Sequence, residues 1–298
     1  MKILITGVYG IVGSFLATNL MKEHEVIGIG RREKYDGCHK YYSCDITNKD
    51  EIEKIIKENR DLDFIIHCAA LAHNKGNDLS YDRFIKVNYE ATADLVDLSN
   101  KYLNLRDFIF ISTISVYGES LDKKYYFEDD HCNPRSPYAV AKKKSEDYII
   151  GKYKSKYSIL RLNPVYSKDF LLNIQRRTLI KGITYKIGDG MQKLTLCHIR
   201  NIYEAVNYLI NNYENEISEI YNIGDSRVYY YKELVEKFNG KSKVIIPKFA
   251  LTYLYKLNNL TLKKQFIHEN SIKLISDNIY STDKINKKVN LKYTIKDI

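Results

Sequence analysis

Along the first half of the chain, short and almost unbroken apolar runs alternate with stretches whose apolar residues recur every three or four positions. KILIT (2–6), EVIGIG (25–30), DFIIH (63–67), DFIFIS (107–112) and YSILRL (157–162) are short and apolar on successive positions, so they read as strands buried on both faces. Between them, residues 11–22, 50–58, 83–102 and 138–153 carry the spacing of helices with one inward face. Strands and helices in strict alternation predict an α/β chain with a doubly wound parallel sheet and helices on both faces. After Tyr166 the pattern loses regularity. A first domain over 1–165 and a smaller lobe over 166–298 are expected. Part of 190–225 should return to the first domain, because IYEAVNYLI (202–210) and EIYNIG (219–224) read as one more helix and strand.

Composition supports a folded chain with a substantial core. The 298 residues are 44% hydrophobic and 28% charged with only 4 prolines, which excludes a disordered chain. No apolar run has the length of a membrane span. The opening MKILITGVYGIVGSFLATNL is broken by three glycines and reads as strand, turn and helix rather than a secretion signal. Five cysteines without a CxxC pair suit a reducing compartment, so a cytoplasmic protein with no membrane partner is expected. Four of them adjoin a histidine (Cys38, Cys68, Cys132, Cys197). Neighbours on a strand point to opposite faces, so no metal site is expected from these pairs. The formal charge is +10, and residues 241–298 hold 12 lysines against 4 acidic residues. These lysines are scattered among Ile, Leu and Tyr. They read first as a solvated basic face, second as an attractor of anionic small substrates, and not as a nucleic-acid site.

Two motifs carry chemistry. The first strand runs into TGVYGIVG, with Gly7, Gly10 and Gly13 spaced GxxGxxG ahead of a helix. Glycines there permit a tight turn and close approach to a pyrophosphate, and Ile11, Val12 and Gly13 open a helix whose N-terminus favours that charge. Farther on, RSPYAVAKKKSE places Tyr138 four residues before Lys142, neighbours on one helix face. An ammonium beside a phenol favours the phenolate, which suits proton transfer. With 27 tyrosines in the chain, the spacing alone does not decide between this and a surface coincidence.

Taken in order, TGVYGIVG, CDIT, HCAA, VNYEAT, FISTISVYG, SPYAVAK and HIRNIYEAV resemble the extended short-chain dehydrogenase/reductases, the NAD-dependent epimerase/dehydratase family, over nearly the whole chain. The resemblance implies a Rossmann-type sheet with a smaller C-terminal substrate lobe and a catalytic set of Thr113, Tyr138 and Lys142. Tyr138 would exchange a proton with a sugar oxygen. Lys142 would lower the tyrosine pKa and meet the nicotinamide ribose, and Thr113 would orient the same oxygen. Asp45 and Ile46 would lie at the adenine edge and Ala69 and Ala70 against the cofactor. Asn88, Ser115, Asn173 and Lys193 would serve the substrate. Simpler roles stand beside these. Asp45 would cap the following helix, the alanines would fill core, and Asn88 would bond backbone.

Departures from the family pattern narrow the reaction. The second strand ends in Gly30, Arg31 and Arg32 where NAD-preferring members carry an acid, so NADP is favoured over NAD. Ile114 and Ser115 replace the Asp-Glu of dehydratases, and Ser115 stands where 3,5-epimerising members carry cysteine. RLNPVYSK lacks the usual Gly-Pro and shifts Asn163 out of place, and Leu194 replaces an expected arginine beside Lys193. The expected activity is redox at C4 of a nucleotide sugar, as a 4-keto reductase or a 4-epimerase. A homodimer through helices is common in the family. The alternative is a non-catalytic Rossmann redox sensor or scaffold.

Overall fold

The structure is a computed structural model, and it describes residues 1–72, 80–118, 120–240 and 244–298. The chain divides into two compact units, the first comprising Met1–Val116, Pro134–Arg161 and Ile202–Tyr221. Its strands are β1 (Lys2–Thr6), β2 (Glu25–Gly30), β3 (Lys40–Ser43), β4 (Phe64–His67) and β5 (Asp107–Thr113). With Tyr157–Leu162 and Glu219–Ile223 they form one seven-stranded sheet. Its order from one edge is β3, β2, β1, β4, β5, Tyr157–Leu162, Glu219–Ile223, and β3 through β5 pair in parallel. Order reverses between β1 and β4, which opens the crevice where doubly wound sheets bind ligands.

Helices α1 (Ile11–Leu20), α2 (Lys49–Glu58), α3 (Tyr81–Phe84), α4 (Ala91–Tyr102) and α5 (Pro137–Lys152) belong to this unit. Leu4, Ile27, Ile65, Phe108 and Ile159 from the sheet pack with Leu95, Val96 and Ile149 from α4 and α5 in one core cluster. Each such side chain contributes roughly 1.5–3 kcal/mol by leaving water. The six predicted strands and five predicted helices are present, with ends shifted by up to three residues. Between α3 and α4, residues Ile85–Glu90 wind as a π-helix. That wider turn carries Asn88 inward to 1% exposure.

The second unit comprises Tyr117–Asn133, Leu162–Asn201 and Asn222–Ile298. Its small sheets include one of Leu179–Ile180, Ile183–Ile187 and Val244–Ile246. Buried Asp225 ties several of its segments together. The carboxylate accepts from the Tyr166 and Tyr229 hydroxyls, both at 2.6 Å, from the His198 N–H and from Asn201 Nδ2.

Candidate active site

The turn after β1 has the geometry that its glycines predict. Gly7 sits at φ 74°, and a Cβ there would lie 2.7 Å from the Ala69 backbone. A Cβ on Gly13 would run into the Gly7 carbonyl, so the helix start packs directly on the turn. Gly10 N–H bonds Gly7 O, and the first intrahelical bond runs from Ser14 N–H to Gly10 O. The N–H groups of Ile11, Val12 and Gly13 precede that bond. Among the described residues no side chain caps this turn, and no acidic residue lies in it. A glycine turn with uncompensated donors fits the pyrophosphate of a dinucleotide.

At the end of β2 the missing acid has a steric counterpart. A Cβ on Gly30 would lie 2.8 Å from the Tyr9 ring, so that ring fills the space into which a longer residue would project. Tyr9 also meets Tyr35 edge-on at 5.0 Å and carries the Arg32 guanidinium 4.7 Å above its face. Arg31 and Arg32 are both exposed, and Tyr41 donates its hydroxyl to the Arg32 carbonyl. Asp45 is half-buried and accepts from Thr47 N–H and its hydroxyl at 2.9 and 2.8 Å. Burial works against its charge. The Thr47 bonds and the Arg31 and Arg83 charges nevertheless hold its pKa below the usual value. Asp45 is not the helix cap. Asn48 caps α2 instead, accepting from Glu51 N–H. Ile46 is buried, Ala69 half-buried and Ala70 exposed.

Helix α5 is capped by Ser136, whose hydroxyl accepts from Ala139 N–H, and Pro137 opens its first turn. This start puts Tyr138 in the first turn and Lys142 one turn later. Amid Ala139, Ala141 and Ile149, the buried face of α5 holds three polar side chains, Lys142, Ser145 and Glu146, all at or below 1% exposure. Ser145 bonds the Asn88 and Ala141 carbonyls. Glu146 accepts from Ser112 and from Arg161, with Arg161 Nη2 at 2.8 Å. Lys142 differs from both. Among the described residues its Nζ has no hydrogen-bond partner and lies 3.9 Å from the centre of the Phe110 ring. Burial brings its pKa down to about 7, against opposing pulls from Cys68 and Glu146.

Half-buried Tyr138 starts the same face, and burial pushes its phenol up to about 12. Burial therefore favours the protonated phenol of Tyr138 and brings the Lys142 ammonium down toward neutral pH. The expected lowering of the tyrosine pKa by Lys142 is not found here, because burial is what acts on the phenol and it raises it. Thr113 ends β5, and its Oγ1 accepts from the Ser115 N–H at 3.2 Å, which orients the hydroxyl and leaves its proton to donate. Ser115 is half-buried in the turn that follows.

Sequence reasoning missed what lies beneath. His67 is fully buried, with Thr6 Oγ1 2.7 Å from Nδ1 and Thr92 Oγ1 2.9 Å from Nε2. Thr92 gives its proton to the Asn88 carbonyl, so Nε2 must donate to Thr92 and Nδ1 must accept from Thr6. Thr6 in turn accepts from Ala69 N–H. Burial, with the Lys142 charge adding, drops the His67 pKa to about 3, and the ring is neutral. Asn88 spends both amide ends on the Leu71 backbone, at 2.6 and 3.0 Å. It thus fixes the segment carrying Ala69 and Ala70, the backbone-bonding role.

The remaining expected residues belong to the second unit. Asn173 donates Nδ2 to the Val165 carbonyl at 2.8 Å. Lys193 bonds Asp277 through its main-chain N–H, and its Nζ lies 5.6 Å over Tyr230. Asn163 is buried between the Ile223 carbonyl and Thr195, which agrees with its displacement from the usual motif.

A glycine turn on β1, a reversal of strand order beside it, and a Tyr-x-x-x-Lys helix flanking β5 define an extended short-chain dehydrogenase/reductase. Residues 3–224 match the family described as NAD dependent epimerase/dehydratase, and the chain belongs to that family. It is similar to human dTDP-D-glucose 4,6-dehydratase, at 28% identity over 79% of this chain and 73% of that one. The Dictyostelium discoideum dTDP-D-glucose 4,6-dehydratase is 27% identical over 75% of this chain, and the match spans 58% of that longer protein. In fold it is similar to UDP-glucuronic acid 4-epimerase from Bacillus cereus, solved in complex with NAD. There the TM-score is 0.72 at 23% identity, over 99% of this chain and 94% of the other.

Proposed function

We propose that this chain reduces the 4-keto group of a nucleotide sugar, with Tyr138 as proton donor, Thr113 orienting the carbonyl oxygen and Lys142 setting the charge beneath them. The observation that carries the reading is the buried Lys142 of α5, over Phe110 with no hydrogen-bond partner among the described residues and brought down to about 7, in the helix whose first turn holds Tyr138. A bound NAD(P)H supplies the hydride. Tyr138 donates its proton as the carbonyl oxygen gains charge, and Thr113 donates a second hydrogen bond to the same oxygen. The phenol's resting protonated state suits this direction, since reduction needs an acid at the start. Water loss lacks its acid and base, because Ile114 and Ser115 follow Thr113. This sets the chain apart from what the dehydratase names of its relatives would suggest.

NADP is the cofactor that the β2 end favours. Tyr9 takes the space beside Gly30, and Arg32 rests on Tyr9 with its charge exposed, which suits a 2′-phosphate. The opposing support is the family's NAD dependence and the NAD bound in the Bacillus cereus neighbour. Asn173 and Lys193 are proposed to meet the sugar-nucleotide diphosphate on resemblance alone. The second reading is a 4-epimerase, favoured by that same structural neighbour. The deciding experiment identifies any dinucleotide retained by the purified protein by mass spectrometry, then supplies UDP- and dTDP-sugars and their 4-keto forms. Consumption of NADPH only with a 4-keto sugar is expected. Retained NAD with C4 interconversion and no net oxidation establishes the epimerase instead. Neither outcome across a broad panel favours the sensor or scaffold.

A further inference from the structure

The helix Lys248–Leu257 has two apolar faces, and only one is used by the fold. Tyr255 and Leu251 point inward and pack with Ile272 and Ile275 of the helix Gln265–Ile275. The outward face carries Phe249, Tyr253 and Leu257, and the π-helical continuation Asn258–Leu262 extends it to Leu260. Phe249 is 77% exposed, Tyr253 69% and Leu260 78%. At about 100° per residue, positions 249, 253 and 257 fall on one stripe. A helix that has already buried one face gains no folding energy from a second apolar stripe in water. Exposed patches of this kind mark interaction surfaces.

Charge identifies the partner. Between Glu236 and Glu269 the chain carries seven lysines and no acidic residue. Lys256 flanks the Phe249 and Tyr253 side of the stripe, and Lys263 and Lys264 follow directly after Leu262. We infer that this face docks the protein on an anionic phospholipid bilayer, Phe249, Tyr253 and Leu260 entering the headgroup boundary while the lysines meet lipid phosphates. Bulky apolar side chains rimmed by lysines on long alkyl stems match an interfacial helix. A second copy of the chain is a poor occupant, because it would set lysines against lysines with no acid between them. The contact is with one bilayer surface and is not a span. Among the described residues no helix is long and apolar enough to cross a membrane.

Vesicle flotation with the full chain tests the proposal. The wild type should float with vesicles of phosphatidylcholine and phosphatidylglycerol, stay behind with phosphatidylcholine alone, and be released by high salt. Phe249→Ser/Tyr253→Ser/Leu260→Ser and, separately, Lys256→Glu/Lys263→Glu should each weaken partitioning at least about tenfold. Circular dichroism should be unchanged, since the substituted side chains face solvent. Ile217→Ser, at an equally exposed position elsewhere (72%), should bind like wild type. Failure to float with anionic vesicles overturns the proposal, as does flotation that neither multiple variant weakens. A dimer in sedimentation equilibrium that the triple serine variant dissociates, with no flotation, overturns it in favour of self-association.

Discussion

Lys142 Nζ stands 3.9 Å from the centre of the Phe110 ring, and the same ring stacks on neutral His67 at 5.7 Å. The ring face favours the ammonium at close range without a hydrogen bond, alongside the charge pulls of Cys68 and Glu146. Phe110→Leu keeps the burial and removes that attraction. The Lys142 midpoint should then fall below its value near 7 by up to about one pH unit. Side-chain carbon NMR of labelled lysine, assigned with Lys142→Met, reads the midpoint directly. An unchanged midpoint would mean that the ring only excludes water.

The same titration couples to stability. Lys142 is held at about 7 in the folded state and near 10.5 unfolded, so between those values the unfolded chain binds more protons. The folding penalty of this group is complete below about pH 7 and disappears as pH rises toward 10.5. Relative to Lys142→Met, the wild type should therefore gain melting temperature across that window. A constant difference between the two curves would contradict the lowered pKa.

Tyr138→Phe removes one oxygen from a half-buried ring that packs near Phe84. The fold and cofactor affinity should survive, while kcat falls by about two orders of magnitude or more if proton transfer limits turnover. Single-turnover kinetics with calorimetric cofactor binding separates the two. Wild-type chemistry in this variant would remove Tyr138 from the reaction.

Cofactor choice is tested at Tyr9 and the arginines together. Arg31→Ala/Arg32→Ala should weaken NADPH and 2′,5′-ADP far more than NADH and 5′-AMP, since only the former carry the extra phosphate. Tyr9→Ala/Gly30→Asp opens the space and restores the acid, and should shift preference toward NADH. Equal losses for both cofactors would make the arginines solvated loop residues.

The strands are legible because each is a compact apolar run, and β3 is not because KYYS at a sheet edge holds only two half-buried tyrosines between exposed Lys40 and Ser43. The π-helical turn at Asn88 leaves no mark in periodicity. The glycine turn and the Tyr138–Lys142 pair could be read because they are local. His67 could not be, since its partners Thr6 and Thr92 lie 61 and 25 residues away, and only tertiary pairing fixes its tautomer. From sequence, the lysines scattered from 241 onward read as a solvated basic face. Three-dimensional packing was needed to show which apolar face of the helix Lys248–Leu257 is left over.

Glu146 looks from sequence like one more surface charge in KKKSE, yet it is fully buried one turn beyond Lys142 and paired with Arg161. Arg161 Nε lies 3.2 Å from Oε1 and Nη2 2.8 Å from Oε2, with Ser112 also donating. Removing one partner strands the other charge in the interior. Arg161→Met should cost about 3–5 kcal/mol in urea unfolding. The stranded carboxylate should also raise the Lys142 midpoint, because the two face each other along α5 with less competing positive charge. Arg161→Met/Glu146→Gln removes the stranded charge, so it should recover much of the stability and return the Lys142 midpoint below that of the single variant. Loss of stability without any movement of the Lys142 midpoint would confine the pair to a packing role. Movement of both ties the electrostatics beneath Tyr138 to the Arg161–Glu146 bridge.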